Sequence, residues 1–322
     1  MGLGRVGIEA IEFHLPNNFR DAEEIAETFG FDLDFVKNKI GVNKIFFVDE
    51  DEKSSDLGAK ALNKLLDKRP QLRSEIEVII VCTQTPDTQL PQISSIIQSI
   101  CNLKRSIATF DLGLGCSGFV YGINVLQSFM IANKMKKGVL ITVETYSKII
   151  NPNDRNTKPL FSDAAAATLI SESGEIEICD YSFLTDGSSS AALSCKPNNF
   201  GTPEFFMDGR KVFNFVVSNI PNEINKILKK NKLEIEEIDY FVFHQASKFV
   251  LDTLSEKLGL LTSNKVIYEI EKVGNTASSS IPIALKNISN KLDKPVNILI
   301  SGFGVGLSSA TTVLKTRGVK SL

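Results

Sequence analysis

Short runs rich in valine and isoleucine alternate with amphipathic segments along the chain, and this alternation restricts the fold more than any other feature. Continuous apolar runs are typical of strands buried on both faces of a sheet, whereas apolar residues recurring at every third and fourth position indicate helices. The pattern therefore predicts an α/β protein built from β-α-β units. The predicted strands are VGIEAIEF, EVIIVCT, SIATFDLG, GVLITVE, AAAATLI, EIEICDYSF, DYFVFHQ, NKVIYEI, VNILISGFG and SSATTVLKT. The predicted helices include SSDLGAKALNKLLDK, SGFVYGINVLQSFMIANK and KVFNFVVSNIPNEINKILKKN.

The second half of the chain repeats the plan of the first. EVIIVCTQTP is similar to DYFVFHQAS, and the turn and helix around Cys116 are similar to those around Asn275. We therefore predict two related halves, residues 1–172 and 173–322. The identity between the paired segments is low, so α/β alternation without duplication stays open. The polar stretch from Thr185 to Pro203 is predicted to be an irregular, functional or mobile connection between the halves.

Composition excludes several classes of function. A chain of 322 residues with 43% hydrophobic residues can bury a large core, and a net charge of -2 gives no bulk attraction to nucleic acid or to a membrane surface. The chain shows no secretory signal and no run long enough to span a bilayer, so we expect a cytoplasmic protein. Its scattered, odd-numbered cysteines argue against a disulfide framework or a structural zinc site. These cysteines are Cys82, Cys101, Cys116, Cys179 and Cys195.

Cys116 lies in DLGLGCSGFVYG, where a predicted strand gives way to a predicted helix. Gly113, Gly115 and Gly118 allow a tight turn, and the helix beginning near Ser117 directs unpaired N–H groups at the sulfur. A buried packing cysteine is the common alternative. We expect instead that this setting lowers the pKa of the thiol and supplies donors for an oxyanion. Cys116 is then a candidate nucleophile for acyl transfer.

His244 and Asn275 occupy similar positions after apolar runs of the second half. His244, in FVFHQAS, is predicted at the carboxyl end of a strand, where open α/β sheets place their ligands. Asn275, in VGNTASSSIP, precedes residues typical of a helix start, so an N-cap role is an equally good interpretation. A cysteine, a histidine and an asparagine in such contexts outline a cysteine acyl-transfer site.

The glycine-rich GFGVGL segment, from Gly302 to Leu307, lies between two predicted strands. It is either a plain hairpin turn or a loop whose backbone approaches a ligand closely. A backbone N–H of this loop is our candidate for the second oxyanion donor.

Other motifs carry no function. GLGRVG at Gly2 to Gly7 has the letters of a dinucleotide-binding loop, but it precedes a predicted strand, so the match is accidental. No phosphate-binding GxxxxGK loop is present, and two histidines without close ligands predict no metal site.

DLGLGCSGFVYG, FHQAS, VGNTASSSIP and SGFGVGLSSA, in this order, resemble the β-ketoacyl-acyl carrier protein synthase III family of the thiolase superfamily. The resemblance covers nearly the whole chain and includes TQTPDTQLPQ and NPNDRNTKPLFSDAAAAT. It implies a thiolase-like duplicated five-layer α-β-α-β-α fold with two mixed sheets, usually as a homodimer. It also implies decarboxylative condensation of an acyl-CoA primer with a malonyl-acyl carrier protein, with no permanently bound cofactor.

The resemblance assigns roles to particular residues. It implies that Cys116 carries the acyl group, while His244 and Asn275 hydrogen-bond the malonyl thioester carbonyl as CO2 leaves. Phe303 matches a family aromatic residue beside the thiol. The loop that follows, with Gly304, Val305 and Gly306, belongs to the implied oxyanion and pocket region.

Several positions depart from the family pattern. The implied coenzyme A contacts are Phe35 and Lys39, in place of tryptophan and arginine, together with Arg155. Leu90 replaces a phenylalanine that reaches across the dimer and limits the acyl pocket, which suggests a longer or branched primer. Carrier-docking positions that are usually basic hold Phe249 and Asn214, which leaves the carrier protein's identity open.

Four other functions share parts of this pattern. One is a thiolase-fold acyltransferase that passes the acyl group to an alcohol or amine without decarboxylation. A hydroxymethylglutaryl-CoA synthase requires a glutamate where this chain has Gln84 and Asp87. A papain-like hydrolase shares the Cys, His, Asn order but carries its cysteine near the amino terminus of a secreted chain. A catalytically dead scaffold would be expected to have lost Cys116.

Overall fold

The computed structural model describes residues 6–197, 201–318 and 322. Its strands are β1 (Gly7–His14), β2 (Asn18–Asp21), β3 (Lys44–Phe47), β4 (Val78–Cys82), β5 (Ala108–Leu112), β6 (Lys137–Glu144), β7 (Ala164–Ser171), β8 (Ile176–Thr185), β9 (Leu193–Pro197), β10 (Pro203–Met207), β11 (Tyr240–Phe243), β12 (Pro295–Gly304) and β13 (Ser308–Arg317). Its α-helices are α1 (Ala22–Phe29), α2 (Leu33–Phe35), α3 (Ser54–Lys68), α4 (Leu72–Glu75), α5 (Ile93–Ile100), α6 (Gly118–Asn133), α7 (Gly209–Asn231), α8 (Lys248–Lys257), α9 (Ile270–Val273) and α10 (Ser280–Asn287). Shorter helical turns are one π-helical turn, Val36–Ile40, and the 3₁₀ turns Tyr146–Lys148, Gly187–Ala192, Ile235–Glu237, Ala277–Ser279 and Ser289–Lys291.

Nine strands of the described residues form one mixed sheet in the order β11-β12-β13-β8-β1-β7-β6-β4-β5. The sheet is held together by only a short pairing in its middle. There β1 and β8 pair at two positions, Gly7 with Glu177 and Ile8 with Ile176. The sheet therefore consists of two mixed wings, which correspond to the two predicted mixed sheets. The predicted boundary between residues 172 and 173 stays a prediction.

Helices cover the wings in layers. α3 and α5 pack on the outer face of the β1-to-β5 wing, and α7 packs against β8, β12 and β13 of the other wing with α8 beside it. α6 contacts β4 and β6 on one side and β12 and β13 on the other, while α10 contacts both β1 and β11. The result is the predicted five-layer α-β-α-β-α fold.

Helix α6 is a central element because it is apolar on nearly all sides. Its residues Phe119, Val120 and Ile123 are fully buried between the two wings. Gly122 allows close packing, since a Cβ there would lie 2.7 Å from a methyl group of Leu140 on β6. The buried face of this helix fixes the position of its own first residue, which follows Cys116 by two positions.

Two secondary-structure predictions were wrong. Residues 264–270, NKVIYEI, form only an isolated bridge between Val266 and Phe241 and then enter α9. The side-chain carbonyl of Gln245 accepts from the N–H groups of Glu269 and Ile270 and so turns this segment away from the sheet.

The stretch from Thr185 to Pro203 is not an irregular connection between the halves. It contains a 3₁₀ turn and β9, which pairs with β10 in an antiparallel ladder; residues 198–200 lie outside the described residues. Leu193 and Phe205 of this hairpin are buried in the core, which explains its regular structure. Its neighbours β8 and α7 both belong to the second wing.

Among the helices that the structure describes, none has the length and apolar character that crossing a bilayer requires.

Candidate active site

One cavity of about 330 Å³ brings together the three side chains that the sequence singled out. Cys116 comes from the first half of the chain, whereas His244 and Asn275 come from the second half, and all three are buried. Phe303 and Gly304, also predicted, line the same cavity. The other lining residues are Leu160, Phe161, Leu193, Met207, Gly209, Arg210, Val212, Phe213, Val216, Ala246, Ser247, Phe249 and Val250.

Cys116 lies two residues before helix α6, whose N-cap is Ser117. The β12–β13 hairpin packs directly on it through glycines. A Cβ on Gly304 would lie 2.8 Å from the Cβ and 3.1 Å from the Sγ of Cys116, and one on Gly302 would lie 2.7 Å from its carbonyl oxygen. The hydroxyls of Ser117 and Ser308 are hydrogen-bonded at 2.9 Å across the same contact. The segment is thus a hairpin whose backbone lies against Cys116, and its close approach to a ligand stays a prediction.

The expected lowering of the thiol pKa is wrong. Burial and, to a smaller extent, the negative charge of Glu144 raise the pKa of Cys116 to about 12, while a hydrogen bond from the backbone of Cys116 opposes both. Removal from water disfavours the thiolate more than the helix start favours it. The resting nucleophile is therefore a neutral thiol.

His244 follows strand β11, and its backbone N–H donates to the Ser301 carbonyl at 2.8 Å. Its Nδ1 is 2.8 Å from the Ser280 hydroxyl, and its ring meets Phe303 edge-on, with centroids 5.5 Å apart. Burial lowers the pKa of His244 to about 3, against an opposing hydrogen bond with the Ala277 backbone. The imidazole is consequently neutral at physiological pH.

Asn275 is held on both sides of its amide. Its side-chain oxygen accepts from the N–H of Ala277 at 2.9 Å, and its Nδ2 donates to the carbonyl of Ala246 at 3.2 Å. The backbone N–H of Asn275 donates to Leu160, which places it beside the cavity wall. An amide nitrogen carries two hydrogens, so Nδ2 keeps a second donor for a ligand. Thr276 and Ser279 occupy the N-cap positions of the 3₁₀ turn Ala277–Ser279 and of α10, and neither side chain makes a capping hydrogen bond. The bond from the Ala277 N–H to Asn275 is the cap-like contact at the start of this turn, so the alternative interpretation holds for the side-chain oxygen of Asn275.

An aromatic pair forms one end of the cavity lining. Phe213 of α7 and Phe249 of α8 stack with ring centroids 5.1 Å apart, and Phe249 is 49% exposed. Lys248 beside it lies 3.8 Å from Asp252 and 3.7 Å from Glu271, so its charge is compensated.

Sequence reasoning missed Phe213 and Arg210. Their position near the start of the amphipathic helix α7 was the available signal.

The predicted coenzyme A contacts lie outside the cavity lining. Phe35, which is 42% exposed, packs on Phe31 at 5.1 Å between ring centroids, and the guanidinium of Arg155 lies 5.0 Å from the Phe31 ring. Phe35 and Arg155 thus both contact the ring of Phe31. Phe31 itself was not predicted from the sequence. Lys39 is exposed in the π-helical turn. The end of that turn, at Gly41, contacts Lys248 and thereby helix α8.

The remaining predicted pocket residues do not line the cavity of a single chain. Val305 and Gly306 form the hairpin turn, where the Val305 carbonyl accepts from Ser308 and Gly306 has φ +139°. Leu90 is 85% exposed. Its place in the acyl pocket and the longer or branched primer that it suggests stay predictions.

No group of three or more histidine, cysteine, aspartate or glutamate side chains suited to a metal ion occurs among residues 6–197, 201–318 and 322.

Comparisons with known proteins agree with this geometry. A family model described as 3-oxoacyl-[acyl-carrier-protein] synthase III matches residues 110–187, and the model of its C-terminal part matches residues 228–316. A relative named beta-ketoacyl-[acyl-carrier-protein] synthase III from Clostridium tetani is 34% identical over 87% of this chain and 89% of its own length. The chain belongs to the 3-oxoacyl-[acyl-carrier-protein] synthase III family.

Further members of the synthase III family match over nearly the full length. A relative of the same name from Lactococcus lactis subsp. cremoris is 31% identical over 94% of this chain and 96% of its own length. The crystal structure of a 3-oxoacyl-(acyl-carrier protein) synthase from Burkholderia xenovorans superposes with a TM-score of 0.89 at 27% identity, covering 98% of this chain and 95% of that one. The fold of this synthase III family member is therefore thiolase-like, as predicted.

Gly304→Ala is expected to slow the reaction of Cys116 with iodoacetamide by about tenfold or more, because the new Cβ displaces the sulfur. Peptide mass spectrometry of the alkylated protein measures the rate at Cys116. Gly209→Ala is the matched control, since Gly209 lines the same cavity and a Cβ there meets no atom within 4 Å. Equal rates in the two variants would contradict the proposed contact.

Both histidines of this family member are expected to stay neutral well into the acidic range. Burial lowers the pKa of His244 to about 3 and that of His14 to about 4. NMR of ¹³C-labelled histidine should show no titration of either ring between pH 7.5 and 5.5, with His14→Gln assigning the signals. A ring that titrates near pH 6.5 would contradict the burial of that side chain.

Proposed function

We propose that the chain catalyses decarboxylative condensation of an acyl-CoA primer with a malonyl-acyl carrier protein through an acyl group on Cys116. The observation that carries the proposal is the shared cavity, in which a neutral thiol faces a neutral imidazole and a carboxamide. Family membership supports the reaction class. The reaction uses a coenzyme A thioester as substrate, and no permanently bound cofactor takes part.

In the first step, the sulfur of Cys116 attacks the carbonyl carbon of the primer thioester. A new S–C bond forms, the bond to the coenzyme A sulfur breaks, and the thiol proton of Cys116 leaves with coenzyme A. The backbone N–H groups of Cys116 and Gly304 are our candidates for the oxyanion donors, because Gly304 lies against the sulfur and the N–H of Cys116 is hydrogen-bonded to it.

In the second step, His244 and Asn275 donate to the thioester carbonyl of the malonyl group. The bond between its carboxylate and α-carbon breaks, CO2 leaves, and the electron pair is held as an enolate whose charge lies on that oxygen. The enolate attacks the acyl carbonyl on Cys116, and the released thiolate takes a proton. For His244 to donate, Nε2 must carry its proton, which requires the Ser280 hydroxyl to donate to Nδ1.

Charge develops on the carbonyl oxygen only as CO2 leaves, so these donors act mainly in the transition state. Their burial strengthens the interaction because water does not compete for the oxygen. Neutral donors suit this role, since a charged imidazolium would also bind the malonyl carboxylate before it is lost. The pKa shift of His244 therefore supports its assignment.

The carrier protein would approach the cavity at Phe249 and Phe213. Phe249 and the exposed Asn214 stand where the family usually has basic residues, which favours a docking surface with more apolar contact and fewer ion pairs. The carrier's identity is not assigned. The cytoplasmic location stays a prediction.

Two alternatives have less support. A hydroxymethylglutaryl-CoA synthase would need a carboxylate beside the thiol after β4. Here the Gln84 oxygen accepts from Tyr146, and Asp87 is bound by Ser55 at 3.0 Å through its backbone N–H. Transfer of the acyl group to an alcohol or amine gives no role to the two donors that face Cys116.

We further propose a homodimer that pairs along β5. This strand forms an end of the sheet, its residues Phe110 and Leu112 are only half-buried, and Leu90 is almost fully exposed. An edge strand with apolar side chains is normally covered. Sedimentation velocity should give twice the chain mass of 35.4 kDa. A monomer at micromolar concentration would contradict the proposal.

The reaction is tested by intact-mass spectrometry after incubation with a panel of acyl-CoA thioesters. Wild-type protein is expected to gain one acyl group, and Cys116→Ser is expected to gain none, because the hydroxyl is a far weaker nucleophile. An equal adduct on Cys116→Ser would place the nucleophile elsewhere.

Asn275→Ala separates the two steps. This variant is expected to retain self-acylation at Cys116 but to release CO2 from malonyl-carrier protein about 100-fold more slowly, as for the loss of one oxyanion donor. Radiolabelled CO2 release measures the second step. Unchanged release would refute the role of Asn275.

A further inference from the structure

A buried carboxylate lies behind the active site. Glu144, the last residue of β6, is completely buried, and no lysine or arginine of the described residues forms an ion pair with it. A buried charge without a counter-ion is costly and is retained only where hydrogen bonds or function compensate. Its hydrogen bonds reach both halves of the chain.

On the side of the nucleophile, Glu144 accepts from the backbone N–H of Gln84, at 3.1 and 3.2 Å, and from the hydroxyl of Thr85, at 3.0 Å. The side-chain oxygen of Gln84 in turn accepts from Tyr146 at 2.8 Å. A Cβ on Gly115 would lie 2.2 Å from that same oxygen, so the residue before Cys116 rests on Gln84. Glu144 thus fixes the loop that supports the nucleophile.

On the other side, Glu144 accepts from the hydroxyl of Ser278 at 3.2 Å. Ser278 belongs to the 3₁₀ turn Ala277–Ser279, and the N–H of Ala277 holds the side-chain oxygen of Asn275. Ser280, directly after the turn, is the hydrogen-bond partner of His244. The same carboxylate therefore anchors the turn that orients both proposed donors.

The charge of Glu144 also acts on the thiol. Burial and, to a smaller extent, the charge of Asp163 raise the pKa of Glu144 to about 8, while hydrogen bonds from Gln84, Thr85 and Ser278 oppose the rise. In its ionised form Glu144 raises the pKa of Cys116, of Cys82 and of Tyr146. Among the described residues, the titratable side chains whose electrostatic interaction with Glu144 shifts a pKa are Asp163, Cys116, Cys82 and Tyr146.

We propose that Glu144 is a positioning residue that aligns Asn275 and His244 with Cys116. This inference rests on the proposed function. It differs from a general structural role because removal of the carboxylate is expected to slow decarboxylation without slowing the alkylation of Cys116. Above about pH 8, where Glu144 is ionised, loss of its charge should even favour the thiolate.

Glu144→Gln tests the proposal. Release of CO2 from malonyl-carrier protein is expected to fall about tenfold, because the amide cannot accept from all three donors with the same geometry. Alkylation of Cys116 by iodoacetamide is expected to become about threefold faster at pH 9.5, which corresponds to about half a pKa unit, and to be unchanged at pH 6.5, where Glu144 is protonated in the wild type.

Two further variants complete the test. Ser278→Ala removes one anchor but keeps the charge, so decarboxylation should fall while alkylation of Cys116 stays at the wild-type rate. Glu223→Gln is the control. Glu223 of α7 is also buried and accepts from Ser182 of β8 and from Lys226 of α7, and its substitution should change neither rate.

Slower reaction in both assays for Glu144→Gln, or no change in either, would overturn the proposal. If Glu144→Gln does not fold, unchanged decarboxylation in Ser278→Ala overturns it. If the wild type releases no CO2 from malonyl-carrier protein, the proposed function fails, whereas the alkylation profiles of Cys116 still measure the effect of the charge.

Discussion

The contact between the β12–β13 hairpin and Cys116 is the constraint on which the site depends. It joins the last two strands of the second wing to the start of the central helix α6 from the first half. Gly302 and Gly304 permit this approach, because any side chain there would collide with the nucleophile or its backbone. Because Phe303 lies between these two glycines, the same backbone packing places its ring against the ring of His244. A site divided between two halves is in this way held by main-chain contacts, which are stiffer than side-chain contacts.

Burial decides the electrostatics of the site. Burial raises the pKa of Cys116 and lowers that of His244, so both side chains are neutral over a wide pH range. A thiolate–imidazolium pair, common in cysteine hydrolases, is therefore disfavoured in this cavity. Neutral groups donate hydrogen bonds without holding a strong charge of their own, which suits a reaction whose charge appears and vanishes on one oxygen.

Much of the fold and the central residues could be predicted from sequence, because strand and helix periodicities are strong here and Cys116, His244 and Asn275 lie in specific motifs. The failures have physical causes. Residues 264–270 look like a strand, but the side-chain oxygen of Gln245 accepts from the N–H groups of Glu269 and Ile270, and two long-range hydrogen bonds of this kind have no local signal. The pKa of Cys116 depends on burial and on Glu144, 28 positions away along the chain, which local motif reasoning does not include.

The size of the cavity restricts the order of events. Cys116, His244 and Asn275 share about 330 Å³, and the space beside the thiol is narrowed by Gly304 and Phe303. The arm of coenzyme A and that of the carrier protein would need the same volume, so one must depart before the other enters. Such mutually exclusive occupancy gives ping-pong kinetics, with parallel lines in double-reciprocal plots and competition between free coenzyme A and the extender substrate.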